Sequence, residues 1–140
     1  MSRVFFDSNI WIYMFEDNGE LTDRVIAIQR RMTERGDRLF TSSLTLGEIM
    51  VKPLRIGNHS LAARYQKALT TNATILDFST QSAPHFARIR AAGSVRPADA
   101  VQLACAATAE IDLFITNDER LSRLVVPGVQ FIQSLGRAFL

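Results

Sequence analysis

Four acidic residues stand where carboxylates can do chemistry. Asp7 directly follows the first strand-like run of the chain, and Asp118 follows a later one at 112–116. The carboxyl ends of parallel strands meet at one edge of a sheet, where ligands bind, so we expect both side chains at that edge. The other two acids, Glu48 and Asp99, lie in predicted helices that are otherwise almost wholly apolar.

A convergence of these four carboxylates would favour a divalent cation. An ionised carboxylate that is buried without a partner costs several kcal/mol. Two like charges about 4 Å apart repel by roughly 4 kcal/mol at an effective dielectric of 20, and a hard cation removes that repulsion. All-oxygen ligation suits Mg²⁺ or Mn²⁺, whereas zinc prefers His or Cys. Neither His59 nor His85 is a sequence neighbour of any of the four acids.

Each acid also has a structural explanation when it is considered alone. Asp7 and Asp118 are suited to cap helices, a common use of Asp after a strand. Asp99 in a first helical turn interacts favourably with the helix dipole. Glu48 is harder to explain in this way, because Leu46, Ile49 and their neighbours predict a buried stretch rather than a solvent face.

Other catalytic patterns are absent from the sequence. The seven glycines form no phosphate-binding loop, and no nucleophile elbow is present. Asn9 stands where a haloacid-dehalogenase-like phosphatase has a second Asp, which argues against that class. We exclude Asp112, which begins a strand, and Asp77, which no capped turn follows. Cys105 lies in an alanine-rich stretch that predicts a packing role.

Composition limits the class of protein further. The chain has 140 residues, 16 basic against 14 acidic side chains, and 47% hydrophobic residues, which predicts one globular domain over residues 1–140. A single cysteine permits neither an internal disulfide nor a cysteine zinc cluster. No apolar stretch approaches the roughly 20 residues that cross a bilayer, and an acid at position 7 comes too early for a signal peptide. We therefore expect a cytoplasmic protein without membrane contact.

The elements that position the acids follow from hydrophobic periodicity. Short β-like runs alternate with longer runs of helical period, which predicts an α/β domain with a mostly parallel sheet. A helix that begins at 44 is expected to end near 52, because Pro53 disfavours helix at the preceding residue. The predicted strands are 3–6, 38–41, 74–78, 112–116 and 129–132. The predicted helices are 10–16, 21–35, 44–52, 58–71, 82–93, 98–109 and 119–124.

Taken in order, the segments that contain the four acids resemble the PIN domain. This family of metal-dependent nucleases includes the VapC-like toxin ribonucleases of bacterial toxin–antitoxin pairs. The resemblance covers nearly the whole chain, and its specificity comes from the order and spacing of four short motifs. These are Val4-Phe5-Phe6-Asp7-Ser8-Asn9-Ile10, Thr45-Leu46-Gly47-Glu48, Pro97-Ala98-Asp99-Ala100 and Phe114-Ile115-Thr116-Asn117-Asp118.

The resemblance implies a three-layer α/β/α sandwich around a mostly parallel sheet of four to five strands, and a homodimer. It assigns the catalytic and metal-binding roles to an acidic quartet, with one or two Mg²⁺ or Mn²⁺ ions. Supporting roles beside the carboxylates fall to polar side chains that follow the first and fourth strands, and Asn117 is the alternative to Asp118 as the fourth ligand. The quartet is Asp7, Glu48, Asp99 and Asp118, and the supporting residues are Ser8, Asn9, Thr116 and Asn117.

The function implied by the resemblance is an endoribonuclease that hydrolyses RNA phosphodiesters. A metal-activated water as the nucleophile would leave 5′-phosphate and 3′-hydroxyl ends and would not require the RNA 2′-hydroxyl. The resemblance also implies inhibition by a small antitoxin protein. Arg96, beside the expected site, is our candidate RNA contact. The alternative is a non-catalytic PIN-like module that binds RNA or protein.

Overall fold

The computed structural model describes residues 1–138, so the last two residues of the predicted domain lie outside the described part. Five strands and six α-helices form it, with short 3-10 helices at Leu121–Arg123 and Leu135–Arg137. The strands are β1 (Arg3–Phe6), β2 (Arg38–Ser42), β3 (Thr74–Leu76), β4 (Leu113–Thr116) and β5 (Phe131–Ser134). The helices are α1 (Ser8–Phe15), α2 (Glu20–Arg35), α3 (Ser43–Arg55), α4 (His59–Asn72), α5 (Ser82–Ala92) and α6 (Pro97–Thr108).

The sheet is parallel throughout, with the strand order β3-β2-β1-β4-β5. The chain builds outward from β1 through β2 to β3, and then returns to the other side of β1 to add β4 and β5. The strand order therefore reverses between β1 and β4. Ligands of open α/β sheets bind in the crevice beyond the carboxyl ends of the strands at such a point.

Helices cover both faces of the sheet, which confirms the predicted three-layer α/β sandwich. Alternate side chains of β1 point to opposite faces, so Val4 and Phe6 enter one core and Phe5 enters the other. The first core is completed by helices α1 to α4, and the second by α5 and α6. The two layers follow from the return of the chain, since crossovers on the two sides of β1 place their helices on opposite faces.

Helix α6 is the most buried helix, as its alanine-rich sequence predicts. All residues from Gln102 to Ala107 are buried, including Cys105. Burial raises the pKa of the Cys105 thiol to about 11, so the thiol stays protonated and unreactive near neutral pH. Within residues 1–138, no helix combines the length and hydrophobicity that are needed to cross a membrane.

Several predicted boundaries are wrong. Helix α3 continues through Pro53 to Arg55 instead of ending near 52, because the Pro53 ring is buried and the backbone N–H of Ile56 bonds the Lys52 carbonyl at 3.2 Å. The segment 119–124 forms only a 3-10 turn at Leu121–Arg123. The last strand is Phe131–Ser134 rather than 129–132, because the turn that precedes it extends to Val129. The third strand ends at Leu76, and residues 77–78 continue without pairing.

Candidate functional site

The fold brings the four predicted acids to one edge of the sheet. Asp7 follows β1 and caps α1, Asp118 lies two residues after β4, and these strands are neighbours at the point where the strand order reverses. Glu48 projects from α3, and Asp99 is the third residue of α6. All four line a cavity of about 230 Å³, which we call the acidic cavity. Four residues that are far apart in sequence therefore share one concave site.

Asp7 is the most buried member of the set, with only 6% of its surface exposed. One carboxylate oxygen accepts a hydrogen bond from the Ser8 backbone N–H at 2.8 Å, and the other accepts one from the Thr116 hydroxyl at 2.8 Å. Burial raises the pKa of Asp7 to about 6, against the opposing effect of these hydrogen bonds. The nearby carboxylates of Asp99 and Glu48 raise this pKa further. Asp7 thus has a fixed orientation in an environment that opposes its negative charge.

Two arginines balance the charges of Asp99 and Asp118. The Arg96 guanidinium lies 3.1 Å from Asp99 and 3.6 Å from Asp118. Arg120 makes a two-point contact with Asp118, at 3.2 Å from its Nε and 3.0 Å from its Nη2. Hydrogen bonds from Arg120 lower the pKa of Asp118, so this carboxylate remains ionised. Arg96 therefore lies beside the acids, and its role as an RNA contact stays a prediction.

Glu48 lies in a different environment from the one its sequence neighbours predict. The residue is exposed, and so is its apolar neighbour Val51, at 45%, three positions further along α3. Its carboxylate is nevertheless held in place, since the Ser8 hydroxyl donates to it at 2.6 Å. The expectation of a buried surrounding is wrong for Glu48, whereas its position at the acidic cavity agrees with the sequence motif.

A buried hydrogen-bond network lies beneath Glu48 and was not expected from the sequence. The Gln102 amide is only 2% exposed and donates to the hydroxyls of Ser8, at 2.9 Å, and Thr45, at 2.7 Å. Its oxygen accepts from the Ser42 hydroxyl. Because Ser8 donates its proton to Glu48, Thr45 must be the donor in the 3.1 Å contact between the Thr45 and Ser8 hydroxyls. The sequence does contain a signal for Gln102, which lies three residues after Asp99 in an apolar helix. This spacing places the two side chains on one face of the helix.

The remaining predicted supporting residues fall into two groups. Ser8 and Thr116 contact acids directly, as described above. Asn9 and Asn117 contact each other instead, because the Asn117 backbone N–H donates to the Asn9 side chain at 3.2 Å. The Asn117 amide donates to the Tyr13 hydroxyl at 2.7 Å, which directs it away from the acids. Of the two candidates for the fourth acidic position, Asp118 lines the cavity.

The donor types of the cavity fit a hard divalent cation, since they are carboxylate oxygens beside hydroxyl and amide groups. As the side chains stand, however, no three His, Cys, Asp or Glu residues within 1–138 are close enough to enclose a metal ion. The Arg96 guanidinium contacts Asp99 and Asp118, so two of the four carboxylates are paired with a cationic side chain.

The fold and the site together define an α/β protein with carboxylates gathered at the switch point of a parallel sheet. A sequence profile described as "PIN domain" matches residues 4–126. The chain therefore belongs to the PIN domain family. Among curated proteins, no sequence matches the chain significantly.

Solved structures with the same fold include two DNA-bound VapBC structures and a toxin. VapBC2 of Rickettsia felis, bound to a promoter DNA fragment, has a TM-score of 0.77 at 14% identity, and the match covers 94% of this chain and 98% of that one. DNA-bound VapBC of Salmonella typhimurium has a TM-score of 0.75 at 22% identity, with 96% and 99% coverage. VapC20 of Mycobacterium tuberculosis, described as a Sarcin-Ricin loop cleaving toxin, has a TM-score of 0.64 at 15% identity, with 87% and 96% coverage.

Proposed function

We propose that this chain is a divalent-metal-dependent endoribonuclease and the toxin of a toxin–antitoxin pair. The observation that carries the proposal is the convergence of Asp7, Glu48, Asp99 and Asp118 on one cavity of a PIN-family chain. The fold shared with VapC20, described as a Sarcin-Ricin loop cleaving toxin, supports it. We place its action in the cytoplasm, where an RNA substrate is present.

Asp7 and Asp99 would hold the principal cation, with Glu48 and Asp118 completing the set. Bound Mg²⁺ or Mn²⁺ supplies Lewis acidity toward water and toward phosphate oxygens. Thr116 and the Ser8 backbone N–H orient the Asp7 carboxylate, and the Ser8 hydroxyl orients Glu48. Such hydrogen bonds keep the ligand geometry constant while charge develops on the phosphate.

Arg96 is suited to bind the RNA backbone beside these acids. Its side chain is 64% exposed although it contacts two carboxylates, so part of the guanidinium faces solvent. A guanidinium binds phosphate through paired N–H donors. We assign Arg96 to the phosphate that is cleaved or to its neighbour.

The decisive experiment compares wild type with Asp99→Asn in RNA cleavage. A mixed pool of structured and single-stranded RNA is incubated with Mg²⁺, Mn²⁺ or EDTA, and the product ends are analysed. We expect metal-dependent cuts with 5′-phosphates, and a loss of more than about 100-fold in Asp99→Asn, since even the outer partners of metal ligands are worth 10–100-fold. Asp77→Asn, which removes an exposed carboxylate outside the cavity, is the matched control and should cleave normally.

Cleavage that persists in EDTA, or equal rates for wild type and Asp99→Asn, would contradict this assignment. Stabilisation by metal without cleavage of any RNA would favour the non-catalytic binding module instead.

The toxin role is tested separately by expression of the chain alone. Growth arrest that a co-purifying small protein relieves is expected, and harmless expression of an active nuclease would contradict it. We also propose a homodimer, which sedimentation of the purified chain would show.

A further inference from the structure

A second concave feature adjoins the acidic cavity. It is a groove of about 370 Å³ between the C-terminal half of α5 and the segment that follows β4, and we call it the lateral groove. It shares Arg96, Asp99 and Asp118 with the acidic cavity. One ligand can therefore extend from the acidic cavity into the lateral groove. Its volume lies in the range of roughly 300–1,000 Å³ that is usual for sites of small organic ligands.

The floor of the lateral groove is aliphatic. Ile89, Val95, Leu121 and Val126 form it, and each is at most 9% exposed, so the floor is part of the packed core. Val125, which also lines the groove, is 95% exposed. An aliphatic side chain fully exposed beside an apolar floor adds surface for a flat apolar group.

The rim of the lateral groove is cationic. Arg96, Arg120 and Arg88 all line it, and the first two are held at the boundary with the acidic cavity by Asp118. Their side chains are 64% and 72% exposed, so their outer faces remain accessible. Arg88 has one hydrogen-bond partner among residues 1–138, the His85 ring at 3.5 Å, and no acidic partner there. The rim therefore carries a positive charge that is not compensated.

An apolar floor with guanidinium groups at its edge fits a ligand that combines a flat apolar body with a negative charge. A nucleotide of single-stranded RNA has this combination, since its base can lie on an apolar surface or stack on guanidinium planes and its phosphate pairs with arginine. A purely apolar peptide side chain would use the floor but would leave the charge of Arg88 without a counterpart.

We infer that the lateral groove is a subsite for one unpaired nucleotide next to the cleaved phosphodiester, with its base on the aliphatic floor and its phosphate at Arg88 and Arg120. This inference rests on the proposed function and makes it more specific. A base inside the groove cannot be paired, so the enzyme selects single-stranded RNA or a loop at that position.

The experiment measures the binding of a short single-stranded RNA that spans a mapped cleavage site, in EDTA so that the metal-dependent reaction is silent. In a series of such RNAs, each base in turn is replaced by an abasic ribose. One abasic position next to the cleaved bond is expected to weaken binding by wild type by about tenfold, the effect of losing one stacked base.

Two variants connect that position to the lateral groove. Ala92→Phe fills the groove from the exposed end of α5, and we expect it to weaken binding of the intact RNA by about tenfold while removing the further effect of the abasic site. Arg88→Gln should weaken binding of every RNA in the series by a similar factor, because it removes a phosphate contact. Ile56→Asn and Arg64→Gln, which alter exposed residues outside the groove, are the controls.

The outcomes separate this inference from the proposed function. If RNA is cleaved but Ala92→Phe and Arg88→Gln bind and cleave like wild type, the nucleotide subsite is wrong while the nuclease assignment stands. If the groove variants differ from wild type only in losing inhibition by a partner protein, the nucleotide subsite is also wrong. The lateral groove is then the surface that binds that protein. If wild type neither binds nor cleaves RNA, both proposals are wrong.

Discussion

Asp7 links the chemistry of the site to the stability of the protein. Its pKa is raised to about 6 by burial, whereas an unfolded Asp titrates near 3.8. Between these two values the folded chain holds a proton that the unfolded chain has released. The free energy of unfolding therefore falls as pH rises through this window, by up to about 3 kcal/mol.

The prediction for Asp7 concerns the difference between wild type and Asp7→Asn in EDTA. The amide carries no charge at any pH, so the variant lacks this dependence. We expect the stability of wild type relative to Asp7→Asn to fall between pH 4 and pH 6 and to be constant above that range, as measured by urea unfolding. Parallel pH profiles for the two proteins would show that folding does not raise the pKa of Asp7. Asp7→Asn should also abolish cleavage.

Gln102 is predicted to act as a positioning residue for Glu48, through Ser8. Gln102→Leu keeps the approximate volume but removes the donor to Ser8 and Thr45 and the acceptor for Ser42. We expect cleavage to fall by about 10–100-fold in kcat with little change in KM, together with weaker Mn²⁺ binding in calorimetric titration.

Thr108→Val is the matched control for Gln102→Leu, because it removes a hydroxyl hydrogen bond from the same helix at a distance from the acids. A purely structural role for Gln102 would lower stability in both variants and leave Mn²⁺ affinity unchanged.

At the scale of elements, the turn between the 3-10 helix at Leu121–Arg123 and β5 contributes Val126 and Pro127 to the lateral groove. Residues 126–129 form a turn closed by the hydrogen bond from Val129 N–H to the Val126 carbonyl, at 3.0 Å, with Pro127 and Gly128 in its centre. Gly128 has φ +99°, and a Cβ added there would lie 2.9 Å from the Ala107 carbonyl oxygen. The turn therefore packs directly against the backbone of α6 and requires glycine.

Gly128→Ala is expected to destabilise the fold by about 1–3 kcal/mol, from the positive φ together with the contact to α6. Gly93→Ala is the control, since that glycine has an extended backbone and no atom within 4 Å of an added Cβ. Its effect should stay within about 0.5 kcal/mol. Thermal unfolding of both variants makes the comparison, and equal losses would mean that the turn is not packed against α6.

At the scale of the whole molecule, the acidic cavity joins residues from α3 and α6, which cover opposite faces of the sheet. A cation that binds there bridges both helical layers, so it stabilises the entire fold rather than one element. We expect saturating Mn²⁺ to raise the free energy of unfolding, by about 2.7 kcal/mol at a concentration 100 times the Kd. EDTA should reverse the shift.

The control for this stabilisation is Asp99→Asn, which removes one of the two carboxylates that we propose as principal ligands and should show little or no shift in melting temperature with Mn²⁺. An equal shift in wild type and Asp99→Asn would place the cation elsewhere. The result bears on the metal site independently of cleavage, because unfolding is measured without RNA.

The sequence by itself determined the class of fold and the edge of the sheet at which Asp7 and Asp118 lie. Strands and helices arise from the spacing of apolar residues over a few positions, and acids that follow neighbouring parallel strands lie at one edge whatever the details of packing. The arrangement around them depended on tertiary structure. The contact between Gln102 and Ser8 joins residues 94 positions apart, and Arg120 meets the lateral groove only through the path taken after β4. Pro53 and Glu48 differ from expectation for the same physical reason, since burial depends on the surfaces that meet in the folded chain and local pattern cannot specify them.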